Sequence, residues 1–128
     1  MLDHAGLEVS DLERSRAFYE AALAPLGFSL VMEFEGMLGF GTVNERGRQP
    51  FFWLAARGRP AVRGVHVAFT ASGTEQVDAF HAAALAAGGA DNGGPGLRTE
   101  YHPRYYGAYV LDPDGNNVEA VNHTGASS

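Results

Sequence analysis

The chain has 128 residues, a formal net charge of -6 and no cysteine. That length suits one domain around one core, and 45% apolar against 19% charged residues excludes a disordered chain. The acidity argues against nucleic acid as a partner, which needs a basic face, and the missing thiols exclude disulfide and thiolate chemistry.

Read from the N-terminus, His4–Ser10 alternates apolar Ala5, Leu7 and Val9 with His4, Gly6 and Glu8, the period of a strand. Ser10-Asp11-Leu12-Glu13 reads as a capping box opening a helix through Leu12, Tyr19, Ala22, Leu23 and Leu26, stopped by Gly27. Three strands are expected next, at about Phe28–Glu35, Met37–Val43 and Pro50–Ala55, with Arg57-Gly58-Arg59-Pro60 as a linker. Val65, Val67, Phe69 and Ala71 then alternate with His66, Ala68 and Thr70. Ser72-Gly73-Thr74-Glu75 reads as a second capping box, before a helix carrying Val77, Phe80, Ala84 and Leu85 and ending at Gly88-Gly89. Ala90–Thr99 reads as an irregular loop with one short strand. Tyr106–Leu111 and Asn116–His123 are expected strands, joined by the turn Asp112-Pro113-Asp114-Gly115. Thr124–Ser128 reads as a frayed tail.

The two halves repeat. A shift of 62 places His4 on His66, Ser10 on Ser72, Glu13 on Glu75, Phe18 on Phe80, Leu23 on Leu85 and Gly27 on Gly89. The expected fold is therefore α+β, a single domain over 1–124 with residues 125–128 as a tail. Its two βαβββ modules, 1–56 and 63–123, are expected to be related by a pseudo-twofold axis and to form a concave, barrel-like cleft.

Equivalent residues approach each other near such an axis, and His4 and His66 are equivalent. Glu119 lies in the apolar run Val118–Val121, where a carboxylate is costly to bury unless it is paired or binds a cation. Two imidazoles and one carboxylate form a three-donor set suited to a divalent metal (Fe, Mn, Ni or Zn) with open positions for substrate. Each residue also has a structural reading: His4 as an exposed terminal side chain, His66 as a core histidine on a backbone carbonyl, and Glu119 paired with Arg57, Arg98 or Arg104.

At these residues the sequence resembles the vicinal oxygen chelate superfamily, which includes glyoxalase I, fosfomycin-resistance enzymes, bleomycin-binding proteins and extradiol dioxygenases. His4–Tyr19 is similar to its opening motif, Gly64-Val65-His66-Val67-Ala68-Phe69 to the start of its second module, and Asp112–Glu119 to its closing turn and strand. The resemblance implies His4, His66 and Glu119 as metal ligands. It implies lyase or isomerase chemistry on a small molecule chelated through vicinal oxygens, in a homodimer. A metal-free ligand-sequestering protein of the bleomycin-resistance type and a small ring-cleaving dioxygenase are the alternatives. Glyoxalase I-like members usually add a glutamate from the last strand of the first module; here that strand reads Pro50-Phe51-Phe52-Trp53-Leu54-Ala55.

Tyr101–Tyr106 concentrates further chemistry. Tyr106 or His102 is a candidate acid–base group, Arg104 and Tyr105 are candidate substrate contacts, and Phe52 and Trp53 candidate pocket walls. The structural alternative is that tyrosines simply favour strands and that Pro103 sets a turn. No apolar run approaches the roughly 20 residues that span a bilayer, and the first residues lack a signal-peptide succession. A cytoplasmic location is expected, with neither membrane nor nucleic acid as partner.

Overall fold

A computed structural model describes residues 1–127. The first module contains β1 (Ala5–Glu8), α1 (Leu12–Leu23), β2 (Ser29–Phe34), β3 (Met37–Asn44) and β4 (Gly47–Ala55). The second contains β5 (His66–Thr70), α2 (Thr74–Ala86), β6 (Ala90–Leu97), β7 (Tyr106–Leu111) and β8 (Asn117–Asn122). Each module forms a four-stranded sheet, ordered β1-β4-β3-β2 and β5-β8-β7-β6. In each, the first strand runs parallel to the last and the other pairings are antiparallel. The α+β class and the two βαβββ units are those expected. The two sheets, however, do not close into a barrel.

The helices share one core with the inner faces of both sheets. Phe18, Tyr19, Ala22 and Leu23 of α1 and Val77, Phe80 and Ala84 of α2 are buried in one cluster with Leu7, Leu38, Phe40, Phe52, Leu54, Phe69, Val110 and Val118. Phe69 meets Phe52 edge-on, with centroids 5.1 Å apart, so the core runs unbroken between modules. Leu85 does not join this cluster; it is 36% exposed. Its shift from Leu23 shows that the repeat preserves residue type further than it preserves burial.

Both helix starts depart from the expected capping boxes. Asp11 caps α1, its side chain accepting from the Arg14 N–H. Ser10 is instead engaged by the second module, its N–H and its hydroxyl both donating to Asp114. At α2 the cap is Gly73, which has no side chain to offer. The Thr74 N–H donates to the Ala126 carbonyl, and the Ser72 N–H to Gln76 Oε1. The residues read as a frayed tail are therefore fixed as far as Ala126. Asn122 Oδ1 accepts from Thr124 N–H, Thr124 Oγ1 and Gly125 N–H. The assigned tail's last residue, Ser128, lies outside the described residues.

The closing turn of the second module docks under α1. Buried Asp112 accepts from Tyr19 Oη at 2.6 Å, from the backbone N–H groups of Asp114 and Asn116, and from Asn116 Nδ2. Ala90–Leu97, expected to be largely irregular, is an eight-residue strand whose register breaks around Gly93. Its pairing with β7 compensates for a sequence of poor strand propensity.

The edge strands β1 and β5 flank the seam between modules. The Val62 N–H donates to the Glu8 carbonyl at 2.9 Å. Leu2 and Ala5 face Val67–Thr70 across an apolar cavity of about 370 Å³.

Candidate functional site

Strand parity decides what each sheet offers away from the helices. On β5, Phe69 is buried in the core while His66, Ala68 and Thr70 are exposed on the open face. Ala68 is in register with Glu119 on β8, and Glu119 with Tyr109 on β7. Glu119 therefore lies on the open face between these strands, and it is nevertheless only 1% exposed. Neighbouring side chains cover it. His66 Nε2 lies 2.9 Å from Oε1, and Tyr105 Oη donates to Oε2. The carboxylate that looked costly in sequence is thus satisfied by an imidazole and a phenol, and by none of the arginines considered for it.

Gly107 makes this arrangement possible. A Cβ there would stand 3.1 Å from Glu119 Oε2 and 3.2 Å from Tyr105 Cε1. Burial, and then the Glu119 contact, hold the Tyr105 phenol far above its ordinary pKa, so Tyr105 is a hydrogen-bond donor to the carboxylate. Tyr109 completes the row, its phenol also raised by burial and by the Glu119 charge. The Arg98 guanidinium lies over its ring, 5.4 Å from the centroid.

His4 stands at the other side of the seam. Its Nδ1 is 2.7 Å from Asp3 Oδ1, and its side chain is 60% exposed. With Asp3, Met37, Gln49, Pro50 and Trp53 it lines a cleft of about 530 Å³ on the open side of the first sheet. His4 precedes Glu8 by four residues and His66 follows Val62 by four, so the Val62–Glu8 bond sets the two histidines on either side of the seam. Among the described residues, no three His, Asp or Glu side chains come close enough together to hold a metal. The structure thus joins His66 to Glu119 and leaves His4 apart.

The remaining candidates divide by parity. Tyr105 is on the Glu119 face. Tyr106, one residue on, turns towards α2 and donates to Asp78 Oδ1 at 2.6 Å. His102 is behind Tyr105: its Nδ1 accepts from the Arg104 N–H, which leaves Nε2 to donate to His123 Nδ1 at 2.9 Å. The Arg104 side chain is exposed and makes no hydrogen bond among the described residues, while its backbone packs against Gly125. Phe52 is a core residue, 1% exposed, and Trp53 is half-buried on the open face of the first sheet. Tyr109 and Arg98 were not singled out as site residues. The available signal was the odd-numbered series Tyr105, Gly107, Tyr109, which shares a face once the strand is in register.

Four phenols, those of Tyr19, Tyr105, Tyr106 and Tyr109, are raised above the ordinary value of about 10. Burial leads at Tyr19, Tyr105 and Tyr109, and the Asp78 hydrogen bond leads at Tyr106. A group raised in the folded state stabilises fully below its unfolded pKa and loses that contribution as pH climbs towards the folded value. An alkaline titration followed by phenolate absorbance should therefore find most of the five tyrosines silent until the fold is lost above about pH 10. All five ionising together with circular dichroism unchanged would contradict this. Gly107→Ala should bring Tyr105 forward in the same titration and lower stability by about 1–3 kcal/mol, because the new methyl displaces the phenol from Glu119.

The chain belongs to the Glyoxalase/Bleomycin resistance protein/Dioxygenase superfamily, whose family model matches residues 1–120. It is similar to a glyoxalase/bleomycin resistance protein from Albidiferax ferrireducens, with 34% identity, TM-score 0.82, and coverage of 94% of this chain and 97% of that one. A family enzyme from Burkholderia phytofirmans shares the fold at 21% identity and TM-score 0.71, with coverage of 95% and 98%. A glyoxalase I mutant from Zea mays matches at 25% identity and TM-score 0.68 over 94% of this chain, which spans 46% of that protein's length. No match is found among curated proteins. Among the described residues, no helix is long and apolar enough to cross a membrane.

Proposed function

We propose that the protein is a metal-dependent enzyme acting on a small molecule through two adjacent oxygens, with lyase or isomerase-type chemistry. The observation that carries this reading is the His66–Glu119 pair, an imidazole and a 1%-exposed carboxylate held together on an open face. These side chains fit the donor set of a borderline divalent cation. His4 is the third donor. Its Nδ1–H given to Asp3 leaves Nε2 free, the same carboxylate support that metal-binding histidines commonly carry.

When bound, a divalent cation supplies Lewis-acid polarisation of a substrate oxygen. This chain's own residues do the rest. Tyr105 holds the proton at its Oη and fixes Glu119 Oε2, leaving Oε1 as the free carboxylate oxygen once His66 turns outward. Tyr109 on β7 and Trp53 on β4, both half-buried, supply aromatic surface on the open faces of the two sheets. Arg98 is the cation nearest this row and suits an anionic group on the substrate.

Elemental analysis of the purified protein tests the reading, which expects about one equivalent of a transition metal per chain. Mixing His4→Ala with His66→Ala protein tests where the third donor comes from. If one chain spans its own seam, the mixture regains no metal; recovery of one site in each mixed dimer, about a quarter of all sites in an equal mixture, would assign His4 to a second copy. Light scattering measures the expected pairing of two copies.

The second reading is a metal-free binder that sequesters its ligand, as bleomycin-resistance proteins do, the Albidiferax ferrireducens relative being a glyoxalase/bleomycin resistance protein. It draws on the closed His66–Glu119–Tyr105 set, which is satisfied without any further group. Ligand binding unaffected by a chelator would select it.

A further inference from the structure

The two sheets differ at one matched position. In the second sheet Ala68 pairs with Glu119, which pairs with Tyr109. In the first, Gly6 pairs with Trp53, which pairs with Gly39. Gly6 and Ala68 are repeat equivalents, so Trp53 occupies in the first module the place that Glu119 occupies in the second. The indole is not there by default. It lies against Gly39, where an added Cβ would sit 2.8 Å from the ring, and leans away from Gly6, where an added Cβ would meet only Trp53 Cβ and the Trp53 carbonyl oxygen. The Phe34 ring lies beside it, planes 20° apart and centroids at 6.2 Å, and is itself 58% exposed.

The cleft that Trp53 lines also contains His4, and its volume of about 530 Å³ lies within the range of roughly 300–1,000 Å³ usual for small-molecule sites. The apolar part of its lining is the Trp53 indole, the Met37 thioether and the Pro50 ring, and the polar part is Asp3, His4 and Gln49. A flat unsaturated ring matches such a lining by offset stacking, and an aliphatic chain has no equivalent gain there.

We infer that Trp53 is the specificity-determining residue of the cleft, stacking a planar aromatic ring of the substrate whose oxygens project towards His4. The placement of those oxygens rests on the metal reading above; the stacking does not.

Trp53 is the chain's sole tryptophan, so its fluorescence reports the cleft directly. The experiment titrates wild-type protein, with and without added zinc, with 2-hydroxybenzoate and with the aliphatic 2-hydroxyisobutyrate. Saturable quenching and an emission shift are expected for the aromatic acid in both conditions, with affinity raised by zinc, and none for the aliphatic acid without zinc. Calorimetry then compares Trp53→Phe, which keeps a stacking ring, with Trp53→Leu, which does not. The leucine variant should lose about tenfold in affinity for the aromatic acid, and the phenylalanine variant most of it retained. Aromatic binding without quenching, or equal affinity in the leucine variant, overturns the inference and leaves the metal reading intact. Quenching of equal affinity with and without zinc sinks the metal reading and supports the stacking. The melting temperature of each variant separates lost stacking from lost fold.

Discussion

Asp112→Ala is expected to cost about 3–5 kcal/mol of folding stability, because it removes the one acceptor shared by a buried hydrogen-bond network. The side chain is 5% exposed and accepts from Tyr19, itself fully buried, and from Asn116 and the turn backbone. Removing it strands several buried donors at once, each worth about 1–3 kcal/mol when unpaired. Because a domain of this size has roughly 5–15 kcal/mol in total, the variant should sit near its unfolding threshold. Tyr19→Phe removes one donor and leaves the others paired, so about 1–2 kcal/mol is expected. Urea denaturation measures both. An Asp112→Ala midpoint equal to wild type would refute the role of this turn as the lock between modules.

The second large effect concerns the open face. His66→Ala should lower metal affinity by more than about a hundredfold, beyond the roughly 10–100-fold typical of an outer-shell change. Asp3→Asn should lie inside that range, near tenfold, because it weakens support for His4 without removing a donor. Glu119→Gln keeps the shape but not the charge, and should match His66→Ala. Competition with a chromogenic chelator gives all three numbers. Because His66 also covers and pairs the buried Glu119 carboxylate, its removal should lower the thermal midpoint of metal-free protein by a few degrees, so affinities are compared on folded protein. If His66→Ala retains wild-type affinity, the metal proposal is wrong.

The fold was legible because its signals are local and repeated. Alternation in Val65–Ala71 and helical spacing in Leu12–Leu26 are set by which side faces the core, and that pattern survives in a single sequence. The caps were less legible. Ser10 and Glu13 carry the right residue types, yet Asp114, far away in the chain, offers Ser10 a better partner and Asp11 takes the cap. Tyr105 and Tyr106 illustrate a second difficulty. They are neighbours at a strand start, and a single step of register decides which meets Glu119 and which meets Asp78. The site itself was half visible: the pairing of His66 with Glu119 follows from two strands in one module, whereas the distance to His4 depends on how widely β1 and β5 separate. The match of Trp53 to Glu119 needed the strand registers, because the repeat offset drifts from 62 to 66 between the first and last strands of the module.

The broken register of β6 has a consequence for colloidal behaviour. Strand addition needs a long, flat rim of free amides, and edge-to-edge growth of that kind leads to aggregation. The outer rim of the second sheet carries Gly93, Gly94, Pro95 and Gly96, with one amide missing and the pleat interrupted. The outer rim of the first sheet is β2, which is bulged between Leu30 and Met32 and carries Glu33. Neither rim is a good template for a further strand.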